Sequence, residues 1–198
     1  MKHTNTHQPL PAAFYHKPTL ELAKELLGCI LVKETEEGIT SGYIVETEAY
    51  LGPNDRAAHS YQNRRTKRTE IMFAKAGTVY VYQMHTHCLV NVVSGPLEQP
   101  EAVLIRALEP HSGIDIMQHR RPVQKIENLT NGPGKLTKAM GINMEDYGRS
   151  FHGSPLFITQ GYKPENISAG KRIGIPNSGE AKDYPYRFWI QGNKFVSK

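Results

Sequence analysis

The segment YIVETEAY, residues 43–50, sets two glutamates and a tyrosine at two-residue spacing, the pattern by which a strand lines one surface. Strict alternation puts Ile44, Glu46, Glu48 and Tyr50 on one face and Tyr43, Val45, Thr47 and Ala49 on the other. Two carboxylates on one face suit acid–base work, although the pattern equally describes a solvated edge strand whose charges discourage aggregation. The next segment, LGPNDRAAHSYQNRRTKR, leaves through a Gly-Pro-Asn-Asp turn and offers His59. It then places Arg64, Arg65, Lys67 and Arg68 within five residues with no acid between them. That is a candidate phosphate-binding loop, and a solvated basic surface is its plain alternative. TVYVYQM sets Tyr80, Tyr82 and Met84 on one strand face, where core packing is the simple reading and any buried hydroxyl needs a partner.

Strand-like runs cover 29–34, 41–50, 78–84, 89–95 and 102–109, separated by Gly, Pro, Asn and Asp signals. The amphipathic stretch TLELAKELLG from Thr19 predicts a helix stopped by Gly28. A second helix is expected near Ser112, where Ser112 and Asp115 have capping-box spacing, and a third after GPG at 132–134. The tail offers two short strands, KRIGI (171–175) and RFWIQG (187–192). Strands arrive in groups, so the expected fold is α+β: one domain on a curved, mostly antiparallel β-sheet with flanking helices. Residues 1–18, polar and carrying Pro9, Pro11 and Pro18, are expected to form an extended N-terminal arm before a single domain at 19–198.

With 198 residues, one compact domain is the default. Lys and Arg outnumber Asp and Glu by 24 to 19 and the pI is near 9.1, which favours polyanionic partners. Two cysteines, Cys29 and Cys88, in apolar runs do not suggest a disulfide framework, and a cytoplasmic location is expected. No run reaches the roughly 18–20 apolar residues needed to cross a bilayer, and none resembles a secretory signal, so no membrane partner is expected.

The blocks VETEAYLGPNDRAAHS, MFAKAGTVYVY and VLIRALEP, in this order, resemble the signatures of the alkyladenine (3-methyladenine) DNA glycosylase family, and the similarity runs from about Leu20 to RFWIQG. The resemblance implies a monofunctional, cofactor-free enzyme, expected as a monomer. Such an enzyme flips alkylated or deaminated purines (3-methyladenine, 7-methylguanine, hypoxanthine, ethenoadenine) out of double-stranded DNA and leaves an abasic site. Residue by residue, Glu48 resembles the general base and Arg106 the arginine that helps to hold the catalytic water. Tyr50 and His59 resemble the two faces of the base pocket, Tyr82 a third wall and Asn91 the pocket asparagine. Leu104 completes the expected pocket. A hairpin after YVY should enter the minor groove with a wedge. Here the chain reads QMHTHCLVN and is one residue shorter, so the wedge is Met84 or His85, Met84 preferred. Arg64, Thr66, Arg68 and Lys135 are the expected DNA-backbone contacts.

These assignments meet the chemistry. Extrusion costs a few kcal/mol, and aromatic walls return about 1–3 kcal/mol per stacked base. An oxocarbenium-like sugar calls for a nearby negative charge and an activated water, both within the reach of one carboxylate. Asn91 would exclude the 2-amino group of guanine. A neutral hypoxanthine would need an acid that the sequence does not identify. On this reading Glu46→Gln retains most activity whereas Glu48→Gln is dead. Four competing readings remain: a non-catalytic damaged-DNA-binding protein, a small-molecule hydrolase, a zinc site at His85, His87 and Cys88, and a helix-hairpin-helix at GPGK. No metal is expected, because that spacing matches no standard site.

Overall fold

The computed structural model describes residues 8–197. Nine strands pair in one curled sheet: β1 (Ile30–Thr35), β2 (Gly38–Tyr50), β3 (Val79–Met84), β4 (His87–Ser94), β5 (Glu101–Ser112), β6 (His152–Gly153), β7 (Leu156–Thr159), β8 (Ile167–Gly170) and β9 (Arg187–Ile190). Their order is β3-β4-β5-β2-β1-β7-β6, with β9 joining β2 to β8, and all these pairings are antiparallel. Helices α1 (Thr19–Glu25), α2 (Ile114–Arg120) and α3 (Pro133–Met140) complete an α+β domain.

Alternation on β3, β4 and β5 divides the interior. Val79, Val81, Val90, Val92, Val103 and Ile105 join the main core with Leu22, Leu26, Met117, Leu136 and Met140 of the helices. Tyr80, Tyr82, Leu89, Val93 and Leu104 gather with Met72 in a second cluster. The helices therefore seal one face of the sheet, and the tyrosines belong to the other.

β2 changes partner along its length. Its residues 38–43 pair with β1 and residues 46–48 with β9, while β5 runs beside it from 41 to 50 on the other side. Against β5 the register steps from Ile44↔Leu108 to Glu46↔Ala107, passing over Val45, and then to Thr47↔Ile105, passing over Arg106. Each bulge re-aims the side chains beyond it. Ile44 accordingly lies in the main core with Ala49, so strict alternation over 44–50 fails and Ile44 does not share a face with Glu46, Glu48 and Tyr50.

Three further expectations need correction. KRIGI (171–175) is not a strand but an irregular loop, and the strand beside β9 is instead β8. Ser112 ends β5 and bonds Ser41, and Gly113, with φ +68, takes the cap position of α2, because the sheet ladder claims Ser112 first. Gly113 suits the left-handed backbone that the turn requires. The extended arm at 1–18 lies partly outside the described residues. In its described part Pro9 bridges Thr159, Ala12–Tyr15 form a 3-10 turn, and Tyr15 is fully buried. Apolar burial thus outweighs the prolines' preference for extension. Among the described residues no helix is long and apolar enough to cross a membrane, and no three His, Cys, Asp or Glu side chains are grouped to hold a metal ion.

Candidate active site

A cavity of about 280 Å³ opens on the tyrosine-bearing face of the sheet. β2 supplies Tyr50, β3 supplies Tyr80, Tyr82 and Met84, β4 supplies Leu89 and Asn91, and β5 supplies Leu104 and Arg106. His59 comes from the loop after β2, Pro133 from α3, and Ile173, Gly174 and Ile175 from the 171–178 loop. All five expected pocket residues, and Arg106, therefore line this one cavity.

Glu48 is fully buried and sits behind that wall. Its Oε2 accepts the Tyr50 hydroxyl at 2.8 Å and lies 3.3 Å from Arg106 Nη1, while Oε1 accepts the Ile173 N–H at 2.7 Å. Burial pushes its carboxyl above the usual range. Arg106, the Ile173 N–H and the Tyr50 hydroxyl oppose that rise, and Glu46 adds to it. The carboxyl thus holds its proton more firmly than an exposed glutamate, while Arg106, the Ile173 N–H and the Tyr50 hydroxyl favour the ionised form that a general base needs.

Glu46 is equally buried but differently employed. Its Oε1 accepts from Arg106 Nε (3.2 Å), Arg187 Nη1 (3.1 Å) and the Ser197 hydroxyl (2.8 Å), and its Oε2 accepts the Ser197 N–H at 2.8 Å. A single guanidinium, that of Arg106, thus bridges both glutamates.

The rings are ordered by one another. His59 Nδ1 lies 2.9 Å from the Tyr80 hydroxyl, and its ring packs edge-on to Tyr82 at 4.6 Å. Burial, with Arg68 and Arg64 nearby, lowers the His59 pKa to about 4, so the imidazole is neutral at pH 7. Burial also pushes Tyr82 up to about 12. Asn91 donates its amide to the Tyr80 carbonyl at 3.0 Å, which fixes the side chain against the floor.

The basic loop divides in two. Arg64, Arg65 and Arg68 are all exposed, but Arg65 is committed to Glu70 (2.7 Å) and Glu98 (2.5 Å) and lies over the Phe73 ring, whereas the Arg68 guanidinium stands 4.8 Å from the Tyr82 ring centroid at the cavity edge. Thr66 closes a turn with Thr69. Lys135 is exposed on α3 and bonds the Asn131 side chain at 2.8 Å. At the β3–β4 turn His85 has a φ of +54°, and Met84, 47% exposed, stands at the cavity rim.

The sequence did not mark Asp55, Arg172, Arg187, Ser197 or the Ile173 N–H. Their residue types carry no local signal, and KRIGI read as an apolar strand. A basic residue directly before an apolar run in the tail was the one available hint.

Residues 13–194 match the model of the methylpurine-DNA glycosylase family. The chain is 67% identical over 192 residues to a protein of Bacillus licheniformis, covering 97% of this chain and 98% of that one. It is 64% identical to a Bacillus subtilis protein, covering 98% and 100%, and 64% identical to one from Oceanobacillus iheyensis over the full length of both. All three carry the provisional name 3-methyladenine DNA glycosylase.

Proposed function

The chain belongs to the methylpurine-DNA glycosylase family and is a DNA glycosylase; from this premise we propose that it flips alkylated or deaminated purines into the cavity and hydrolyses the N-glycosidic bond with a water activated by Glu48. The observation that carries the reading is the buried Glu48 carboxylate, held by Tyr50, Arg106 and the Ile173 N–H directly behind an aromatic cavity of about 280 Å³. That volume lies just under the range of drug-sized ligand sites, about 300–1,000 Å³, and suits one planar base.

In the proposed step the water oxygen attacks C1′ as the bond from C1′ to the purine nitrogen breaks. The bonding pair leaves with the base, and Glu48 takes the proton of the water. A cationic alkylated purine departs neutral and needs no acid. Neutral His59 and the tyrosine rings add no positive charge of their own against such a base. With a pKa of about 4, His59 is also no ready donor to hypoxanthine. Asn91, fixed by the Tyr80 carbonyl, supports exclusion of a 2-amino group from the floor.

On this reading Met84 is the wedge, with His85 at the turn, and Arg64, Thr66, Arg68 and Lys135 track the phosphates of double-stranded DNA as one monomer works on one lesion. A small-molecule hydrolase would have no use for the exposed Arg64 and Arg68 beside the cavity. The deciding experiment is incubation with duplex DNA carrying one ethenoadenine or hypoxanthine, followed by alkali. Strand breaks only after alkali, and none with Glu48→Gln, are expected. Intact strands with the unaltered protein would sink the reading.

A further inference from the structure

Arg172 has no place in the cavity wall, yet it grips the end of β2 beside Tyr50 and the turn that leads to His59, and it directly precedes Ile173. Its Nη1 donates to the Ala49 carbonyl at 2.8 Å, next to Tyr50, and to Asp55 Oδ2 at 2.5 Å. Its Nη2 donates to Asp55 Oδ1 at 2.8 Å and to the Ala181 carbonyl at 3.2 Å. The guanidinium lies 4.7 Å from the Tyr50 ring centroid and 5.3 Å from that of Tyr186. Asp55 also accepts the N–H of Leu51 (3.1 Å) and of Ala57 (3.0 Å), which orders the turn leading to His59. The residue after Arg172 is Ile173, whose N–H is bonded to Glu48.

A buried ion pair is poor evidence for stability, because desolvating two charges offsets most of their attraction. Its value here is geometric. A planar, five-donor fork grips a carboxylate and two carbonyls at fixed angles, which a lysine ammonium cannot do.

We propose that Arg172, clamped by Asp55, is a positioning residue for the hydrolysis: it holds the Ile173 N–H against Glu48 and the Tyr50 ring against the base. The inference rests on Glu48 being the general base. Loosening the clamp would weaken one of the contacts that oppose the rise in the Glu48 pKa, so the acid limb of the rate profile should move to higher pH.

The test is Arg172→Lys, with the unaltered protein and Glu48→Gln alongside. Single-turnover release of hypoxanthine from duplex DNA should fall by at least about tenfold at saturating enzyme, and the acid limb should rise by about half a pH unit or more. Binding to duplex carrying an abasic-site analogue should stay within about threefold, since no phosphate contact is lost. A normal rate and limb, or a slowed rate with an unmoved limb, would overturn the proposal. Should Arg172→Lys fail to fold, Asp55→Asn carries the same readouts. If neither folds, the pair is a folding element and the proposal falls. An inactive unaltered protein, or an active Glu48→Gln, would instead remove the assignment on which the inference rests.

Discussion

The Tyr50 hydroxyl donates to Glu48 Oε2 at 2.8 Å, so the ring assigned to stack on the base also helps to hold the carboxylate assigned to activate the water. On the proposed reading, two residues on one strand face couple binding to chemistry.

Tyr50→Phe separates those two roles. The ring and its stacking remain, while Glu48 loses a donor that favours its ionised form. A general base must be ionised, so a higher pKa costs activity from the acid side. Single-turnover rates from pH 5 to 8 should show the acid limb displaced upward, with near-normal rates well above it. An unmoved limb would mean that the hydroxyl does not tune Glu48. In the unaltered protein the limb should already lie above 4.5, the ordinary value for glutamate.

Glu48→Gln should abolish base release and leave binding to damaged duplex nearly intact. The sequence suggested that Glu46→Gln would retain most activity, and the structure adds an expected cost in stability. Glu46 accepts from Arg106, Arg187 and Ser197 with no exposure, and breaking a buried pair of this kind costs about 3–5 kcal/mol. Thermal unfolding should show a clear loss of stability in Glu46→Gln and a smaller one in Glu48→Gln, because burial already disfavours the charge that this isosteric change removes. Equal melting temperatures would show that Glu46 is not the anchor of Arg106.

Removing Arg64 and Arg68 together should weaken binding to damaged and undamaged duplex alike, and should flatten the salt dependence by roughly one unit per lost phosphate contact. Arg65→Ala should leave the slope unchanged, because Glu70 and Glu98 already engage that guanidinium. A flattened slope in Arg65→Ala alone would reverse the assignment within the loop.

Asn91→Ser removes the amide that bonds the Tyr80 carbonyl and opens the floor. Excision of N7-alkylated guanine should rise relative to that of hypoxanthine under single-turnover conditions. A uniform fall for both bases would reduce Asn91 to a support for Tyr80.

His59 offers a stability test. Its folded pKa of about 4 lies below the unfolded value of 6.5, so the folded state resists its protonation. That contribution is present above pH 6.5, is lost as pH falls toward 4, and amounts to roughly 3 kcal/mol at about 1.4 kcal/mol per pH unit. Denaturant midpoints measured from pH 7 to 4 should fall less steeply in His59→Gln. Parallel curves would show that another group governs acid unfolding.

Local sequence determined much of this protein: the strands of the central sheet, the helix after GPG, and a linear series of residues that the fold brings to one cavity. Side-chain alternation and turn residues are short-range physics, legible within a window of ten residues. The tertiary structure alone decided the rest. Two facing register shifts, at Val45 and Arg106, turned Ile44 into the core and brought one guanidinium between Glu46 and Glu48. Asp55 and Arg172 stand 117 positions apart, and Glu46 and Ser197 stand 151 apart. No propensity or periodicity links such pairs. They meet because β2, committed to β5 on one side, accepts β9 on the other, and the chain on either side of β9 supplies the donors that close over its buried carboxylates.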